Sequence, residues 1–101
     1  MTHLRIWKFR PPADREQEFA TVYGADGVWA ALFARAAGYL GTTLYRPEEP
    51  GGAWMTIDRW DSAGAFEAFG RDFGEEYRRL DIELNDISGE EEFVGAFEDA
   101  E

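Results

Sequence analysis

The segment Trp54-Met55-Thr56-Ile57-Asp58-Arg59-Trp60 has the residue types of a β-strand, yet it is apolar-rich at both parities. Trp54, Thr56 and Trp60 fall on one face, Met55 and Ile57 on the other. Successive strand side chains point to opposite faces of a sheet, so a strand with one wet face alternates apolar and polar. This one does not. Both faces of its sheet therefore need cover, and a chain of 101 residues has few elements to supply it.

The rest of the chain divides cleanly around that strand. Residues 3–10 alternate and are rich in apolar and aromatic types, which predicts a first strand stopped by Pro11-Pro12. A helix is expected from Ala13-Asp14-Arg15-Glu16, where early acid suits the N-terminus, with Phe19, Val22 and Tyr23 on one face. Gly24-Ala25-Asp26-Gly27 breaks it. Trp29, Leu32, Phe33 and Ala36 resume the spacing, and Gly38 caps the piece. Residues 39–46 form a second strand, on which Tyr39 and Tyr45 share a parity. Pro47 to Gly52 is the strongest turn signal, so 39–60 reads as a hairpin. Asp61-Ser62 is an N-cap pair. Beyond it Phe66, Phe69, Phe73, Tyr77 and Leu80 mark a long helix with a weak point near Gly70 and Gly74, and Ile82, Leu84 and Ile87 finish the helix or its exit. A last strand spans 91–98, with Phe93, Gly95 and Phe97 on one face and Val94 and Ala96 on the other.

Strand, helix, hairpin, helix, strand is the split βαβ order. The expected fold is α+β: a single ferredoxin-like βαββαβ domain over 1–101 with a four-stranded antiparallel sheet, its first and last strands adjacent. Charge agrees, since Arg5, Lys8 and Arg10 would then lie near the acids of 90–98. The helices cover one sheet face. A second copy of the chain is the simplest cover for the other, which predicts a homodimer with its sheets packed face to face.

Composition excludes several functions. The net charge of −11 argues against nucleic acid, whose phosphates attract basic faces. No run approaches the roughly 18 apolar residues of a membrane span, and the first residues hold no signal-type apolar stretch, so a cytoplasmic protein is expected. With no cysteine and the lone His3, thiol chemistry and multi-histidine metal sites lack ligands, and neither metal nor cofactor is expected.

The run Trp29-x-x-Leu32-Phe33, then Gly38-Tyr39-Leu40-Gly41-Thr42, Thr56-Ile57-Asp58-Arg59-Trp60, Phe66 and Phe69 resembles the antibiotic biosynthesis monooxygenase-like family of dimeric α/β-barrel proteins. The resemblance covers nearly the whole chain. It implies a dimeric α/β barrel and a pocket between sheet and helices, walled by a residue such as Trp60. Family members include cofactor-independent monooxygenases that oxidise aromatic polyketides to quinones, and haem-degrading enzymes. The haem-degrading branch uses an asparagine on the first strand and a histidine on the second helix. Residues 3–10 hold no Asn and residues 62–80 no His, which sets this chain apart from that branch.

Candidate site residues follow from faces and chemistry. Asp58 shares a face with Trp54 and Trp60; a buried carboxylate there would carry a raised pKa and could act as a base. Tyr77 is a second catalytic candidate through its hydroxyl, and Tyr39 could likewise donate to a ligand. Tyr23, Trp29 and Phe33 lie on the interrupted first helix, where irregular backbone leaves room for a pocket mouth. Each also has a bland reading as core. Two functions stay in view: an oxygenase binding an aromatic or phenolic small molecule without cofactor, and a non-enzymatic binding or accessory dimer. An open cavity with Asp58 or a tyrosine facing it favours a ligand, whereas a filled interior with Trp29 against Trp60 favours a purely structural role.

Overall fold

The computed structural model describes residues 1–100. Strand β1 (His3–Arg10) leads through a single 3-10 turn into helix α1 (Glu16–Tyr23) and, after Gly24–Gly27, into α2 (Val28–Phe33). Strands β2 (Tyr39–Tyr45) and β3 (Trp54–Trp60) form the hairpin. Helix α3 (Ala63–Glu83), a single turn α4 (Asn85–Ser88) and strand β4 (Glu90–Glu98) complete the chain. The sheet has the order β2-β3-β1-β4 with every neighbouring pair antiparallel, and it is open. The fold is the expected α+β, ferredoxin-like one.

Local chemistry accounts for the element ends. Ser62 caps α3, its Oγ accepting from the Ala65 N–H at 3.1 Å. The weak point expected near Gly70 and Gly74 falls at Phe73, whose backbone leaves the helical region (φ −125°, ψ 16°). Gly89 turns the chain from α4 into β4 at φ +64°, and a Cβ there would meet the Arg10 carbonyl oxygen. Only glycine fits.

Strand β3 is buried at every second residue: Trp54, Thr56, Asp58 and Trp60 lie under the helices, with Met55, Ile57 and Arg59 half-buried on the other face. Phe9, Phe19, Phe33, Phe69 and Trp60 build the core between sheet and helices. Trp60 is fully buried and packs on Phe33, Tyr39, Phe66 and Phe69, with centroids 5.3–5.7 Å apart. Burial of each phenylalanine stabilises the fold by about 1.5–3 kcal/mol.

Two register shifts overturn parities expected from simple alternation. One lies between Tyr39 and Gly41, where Leu40 is the extra residue. Tyr39 pairs with Trp60 but Tyr45 pairs with Met55, so the two tyrosines face opposite sides of the sheet. The other lies in β4 at Val94: Phe93 pairs with Trp7 and Phe97 with Leu4, which separates Phe93 from Phe97 and Gly95. A bulge inserts one residue and flips the alternation beyond it.

The first and last strands do pair, with Lys8 opposite Glu92 and Arg10 opposite Glu90. Neither pair closes to an ion pair. Among the described residues the ion pairs are Arg15–Glu18 and Arg35–Glu76, and Arg10 donates instead to the Gly51 carbonyl oxygen at 2.9 Å. The sheet face away from the helices carries Leu4, Ile6, Met55 and Ile57, half-buried, with Tyr45 and Phe97 exposed. No helix is long and apolar enough to cross a membrane among the described residues.

Candidate active site

A cavity of about 270 Å³ lies between the sheet and the helices. Its sheet wall comes from alternate residues of three strands: Trp7 and Phe9 of β1, Thr42 of β2, Thr56 and Asp58 of β3. Its helical wall comes from Tyr23 of α1, Trp29 and Phe33 of α2, and Tyr77 and Asp81 of α3, with Glu91 of β4 beside them. The break at residues 24–27 lets α2 turn away from α1 and bring Trp29 to 5.0 Å from Tyr77, ring to ring.

Asp58 is the polar centre of this wall. The residue is 9 % exposed, and its Oδ1 accepts a hydrogen bond from Thr42 Oγ1 at 2.5 Å. Thr42 has one hydroxyl hydrogen and spends it there, so the 2.6 Å contact with Tyr39 is a bond donated by the tyrosine. Tyr39, Thr42 and Asp58 thus form a directed chain. Burial pushes the Asp58 carboxyl up to about 6, against the opposing pull of the Thr42 hydrogen bond and of the Arg5 and Arg59 charges. Arg5 stands close enough to act through space, but its guanidinium lies over the rings of Phe66 and Phe93, 3.9 and 4.6 Å from their centroids.

Tyr77, Tyr23 and Tyr39 are held neutral. Burial first, then the carboxylates of Asp81 and Glu91, push the Tyr77 hydroxyl up to about 12. Tyr23 is raised by burial too, with the nearby Trp29 and Ser88 groups opposing it; the approach to Trp29 falls short of hydrogen-bond geometry, and Trp29 Nε1 has no partner among the described residues. Tyr39 is raised by burial and lowered in part by Thr42. A neutral phenol donates one hydrogen bond and can steady an oxyanion.

Of the residues expected from sequence, Asp58, Tyr77, Tyr23, Trp29 and Phe33 meet at the cavity. Tyr39 lies one hydrogen bond behind it, through Thr42. Trp60 lies outside the lining, and Phe33 touches both it and Trp29, with centroids 5.7 and 5.9 Å apart. Sequence reasoning did not single out Trp7, Phe9, Thr42, Thr56, Asp81 or Glu91. Asp81 carried a usable signal, since it continues the stripe Phe73, Tyr77 by one more step of four. Thr42 carried none, because the Leu40 bulge decides which way it faces.

Several solved structures share this architecture. SnoaB from Streptomyces nogalater, a cofactor-independent oxygenase solved as its N63A mutant, superposes with a TM-score of 0.71 at 23% identity over 99% of this chain and 94% of that one. The monooxygenase ActVA-Orf6 of Streptomyces coelicolor, solved in complex with nanaomycin D, gives 0.70 at 18% identity over 98% and 88% of the two chains. Rv0793 from Mycobacterium tuberculosis gives 0.63 at 13% identity over the whole of both. At these identities the likeness concerns the fold. No curated protein sequence matches the chain. The model of the antibiotic biosynthesis monooxygenase family matches residues 2–78, a span that includes β1 to β3, Asp58 and Tyr77. The chain belongs to the antibiotic biosynthesis monooxygenase family.

Proposed function

We propose that the protein is a cofactor-independent oxygenase that oxidises a phenolic aromatic molecule held between sheet and helices. The observation that carries this reading is the buried Asp58 carboxyl, raised to about 6, in the wall of a cavity otherwise dominated by aromatic rings. An unbound phenol titrates near 10, so raising the base narrows the gap that proton transfer must cross. Asp58 takes the phenolic proton, and the electron-rich phenolate reacts with O2. One oxygen atom enters the ring as a quinone carbonyl and the other leaves as water, both reduced by the four electrons the substrate loses. Tyr77 or Tyr23 donates to the developing oxyanion.

The same reading has residues 1–101 acting as one domain of a cytoplasmic homodimer. The apolar sheet face of Leu4, Ile6, Met55 and Ile57 supports it, because the helices leave that face without cover. Oxygen uptake with a panel of one- to three-ring phenols tests the activity. Uptake that Asp58→Asn abolishes supports it. Binding without uptake across the panel sinks it and leaves the non-enzymatic binding dimer.

A further inference from the structure

The cavity holds three carboxyl groups and no basic side chain among its lining residues: Asp58 in the wall, with Asp81 and Glu91 beside Tyr77. Asp58 is nine-tenths buried and commits one oxygen, Oδ1, to Thr42; Oδ2 has no hydrogen-bond partner among the described residues. Asp81 and Glu91 come from two different elements, the end of α3 and the start of β4, and among the described residues neither takes part in an ion pair. Arg5, whose charge acts through space on Asp58 and Tyr77, has its guanidinium over the Phe66 and Phe93 rings and does not line the cavity. Around these acids stand the rings of Trp7, Phe9, Tyr23, Trp29, Phe33 and Tyr77. Ring faces carry negative quadrupole potential, which adds to the field of the carboxylates and attracts cations.

That field bears directly on phenol chemistry. Tyr77 is itself a phenol inside it: burial opposes its ionisation most, the carboxylates of Asp81, Glu91 and Asp58 add to that, and Arg5 favours the charged form. Glu91, although exposed over much of its surface, is pushed up by partial burial and then by Asp81, so the two acids also repel each other. A substrate that must become a phenolate here meets the same opposition. A positive charge carried elsewhere on the substrate, set between Asp81 and Glu91, offsets the part of it that comes from these carboxylates and relieves their mutual repulsion. A carboxylate at that position adds a fourth anion.

We infer that Asp81 and Glu91 are specificity-determining residues that make the cavity select a phenolic amine, with its ammonium group at these two acids, over a phenolic acid. The inference rests on the phenol-binding reading of the cavity and adds the charge of the substrate. It can be tested without turnover. Tyramine, 4-ethylphenol and 4-hydroxyphenylacetate have nearly the same shape and carry positive, zero and negative charge. Their binding, followed anaerobically by quenching of Trp7 and Trp29 fluorescence, is expected to weaken in that order, with tyramine about tenfold tighter than the acid at low salt. The gap should narrow as salt is raised, since the acids stand near solvent. In the Asp81→Asn/Glu91→Gln double variant the three affinities should converge on that of 4-ethylphenol. Equal or tighter binding of the acid, persistence of the preference in the double variant, or no quenching by any of the three overturns the inference. Amine-selective binding without oxygen uptake leaves it standing and removes the oxygenase reading. Uptake with neutral or acidic phenols does the reverse.

Discussion

Thr42 Oγ1 and Asp58 Oδ1 meet at 2.5 Å across the β2–β3 pair, in register with each other and on the helix side of the sheet. The contact exists because Leu40 is extruded from the ladder; without that extra residue Thr42 would face the other way. The bond favours the charged carboxylate and opposes the burial that raises its pKa. Thr42→Val therefore moves the Asp58 midpoint above about 6, while Thr42→Ser leaves it nearly in place. Carboxyl carbon NMR titration of both variants reads this directly, and an unmoved midpoint in the valine variant refutes it.

The same carboxyl makes stability depend on pH. Its pKa in the fold, about 6, lies above the 3.8 of an unperturbed aspartate. The folded state thus binds more protons than the unfolded one between these values, and stability falls as pH rises from about 4 to just above 6. The full effect is on the order of 2–3 kcal/mol. Asp58→Asn keeps an oxygen that can accept from Thr42 and removes the titration. Urea unfolding at about pH 3 and about pH 7.5, values that bracket that window, should show the variant gaining on the parent only at the higher pH.

Trp60 and Trp29 should separate in function. Trp60 is fully buried in an aromatic nest, so Trp60→Ala costs about 3–5 kcal/mol in chemical denaturation. Trp29 lines the cavity; Trp29→Phe should weaken ligand binding by several-fold at a stability cost below about 1.5 kcal/mol. Loss of binding in a folded Trp60→Phe variant with Trp29→Phe unaffected would reverse these assignments.

The open sheet face gives a fourth expectation. Ile6 and Ile57 pair across β1 and β3 in the middle of that face. A charge there leaves the core beneath the helices untouched and would set like charges against each other across the two-fold axis of the proposed dimer. Ile57→Glu should run at a molar mass near 11.5 kDa in light scattering where the parent runs at twice that value. A parent already at the lower mass at micromolar concentration removes the dimer.

Much of this was legible in the chain. Pro11-Pro12, the Pro47–Gly52 turn and the Ser62 cap fix element ends through local chemistry, and the helical spacing of Phe66, Phe69 and Tyr77 marks the inward face of α3. Alternation likewise places Asp58 under the helices beside Trp54 and Trp60. What alternation could not give was the consequence of an extra residue. Leu40 and Val94 look like ordinary strand residues, so Thr42, Tyr45, Phe93 and Phe97 took faces that counting by two assigns wrongly. The acids at the cavity were obscured for a different reason, even though Asp81 continues the stripe of Phe73 and Tyr77. Asp81 and Glu91 belong to an acidic tail whose simplest account is solvation, and only the return of β4 alongside β1 brings Glu91 back to Phe9 and the aromatic wall.

The interruption of α3 at Phe73 divides that helix into two mechanical parts. The first is anchored: Ser62 closes its start, and Phe66 and Phe69 are wedged against Trp60. The second, from Gly74 onward, carries Tyr77 and Asp81. A break in the helical hydrogen-bond ladder is where bending concentrates. Pressure from an arriving molecule on Tyr77 should therefore be absorbed at Phe73, like load at the root of a cantilever, with the tip giving way before the tryptophan-centred foundation.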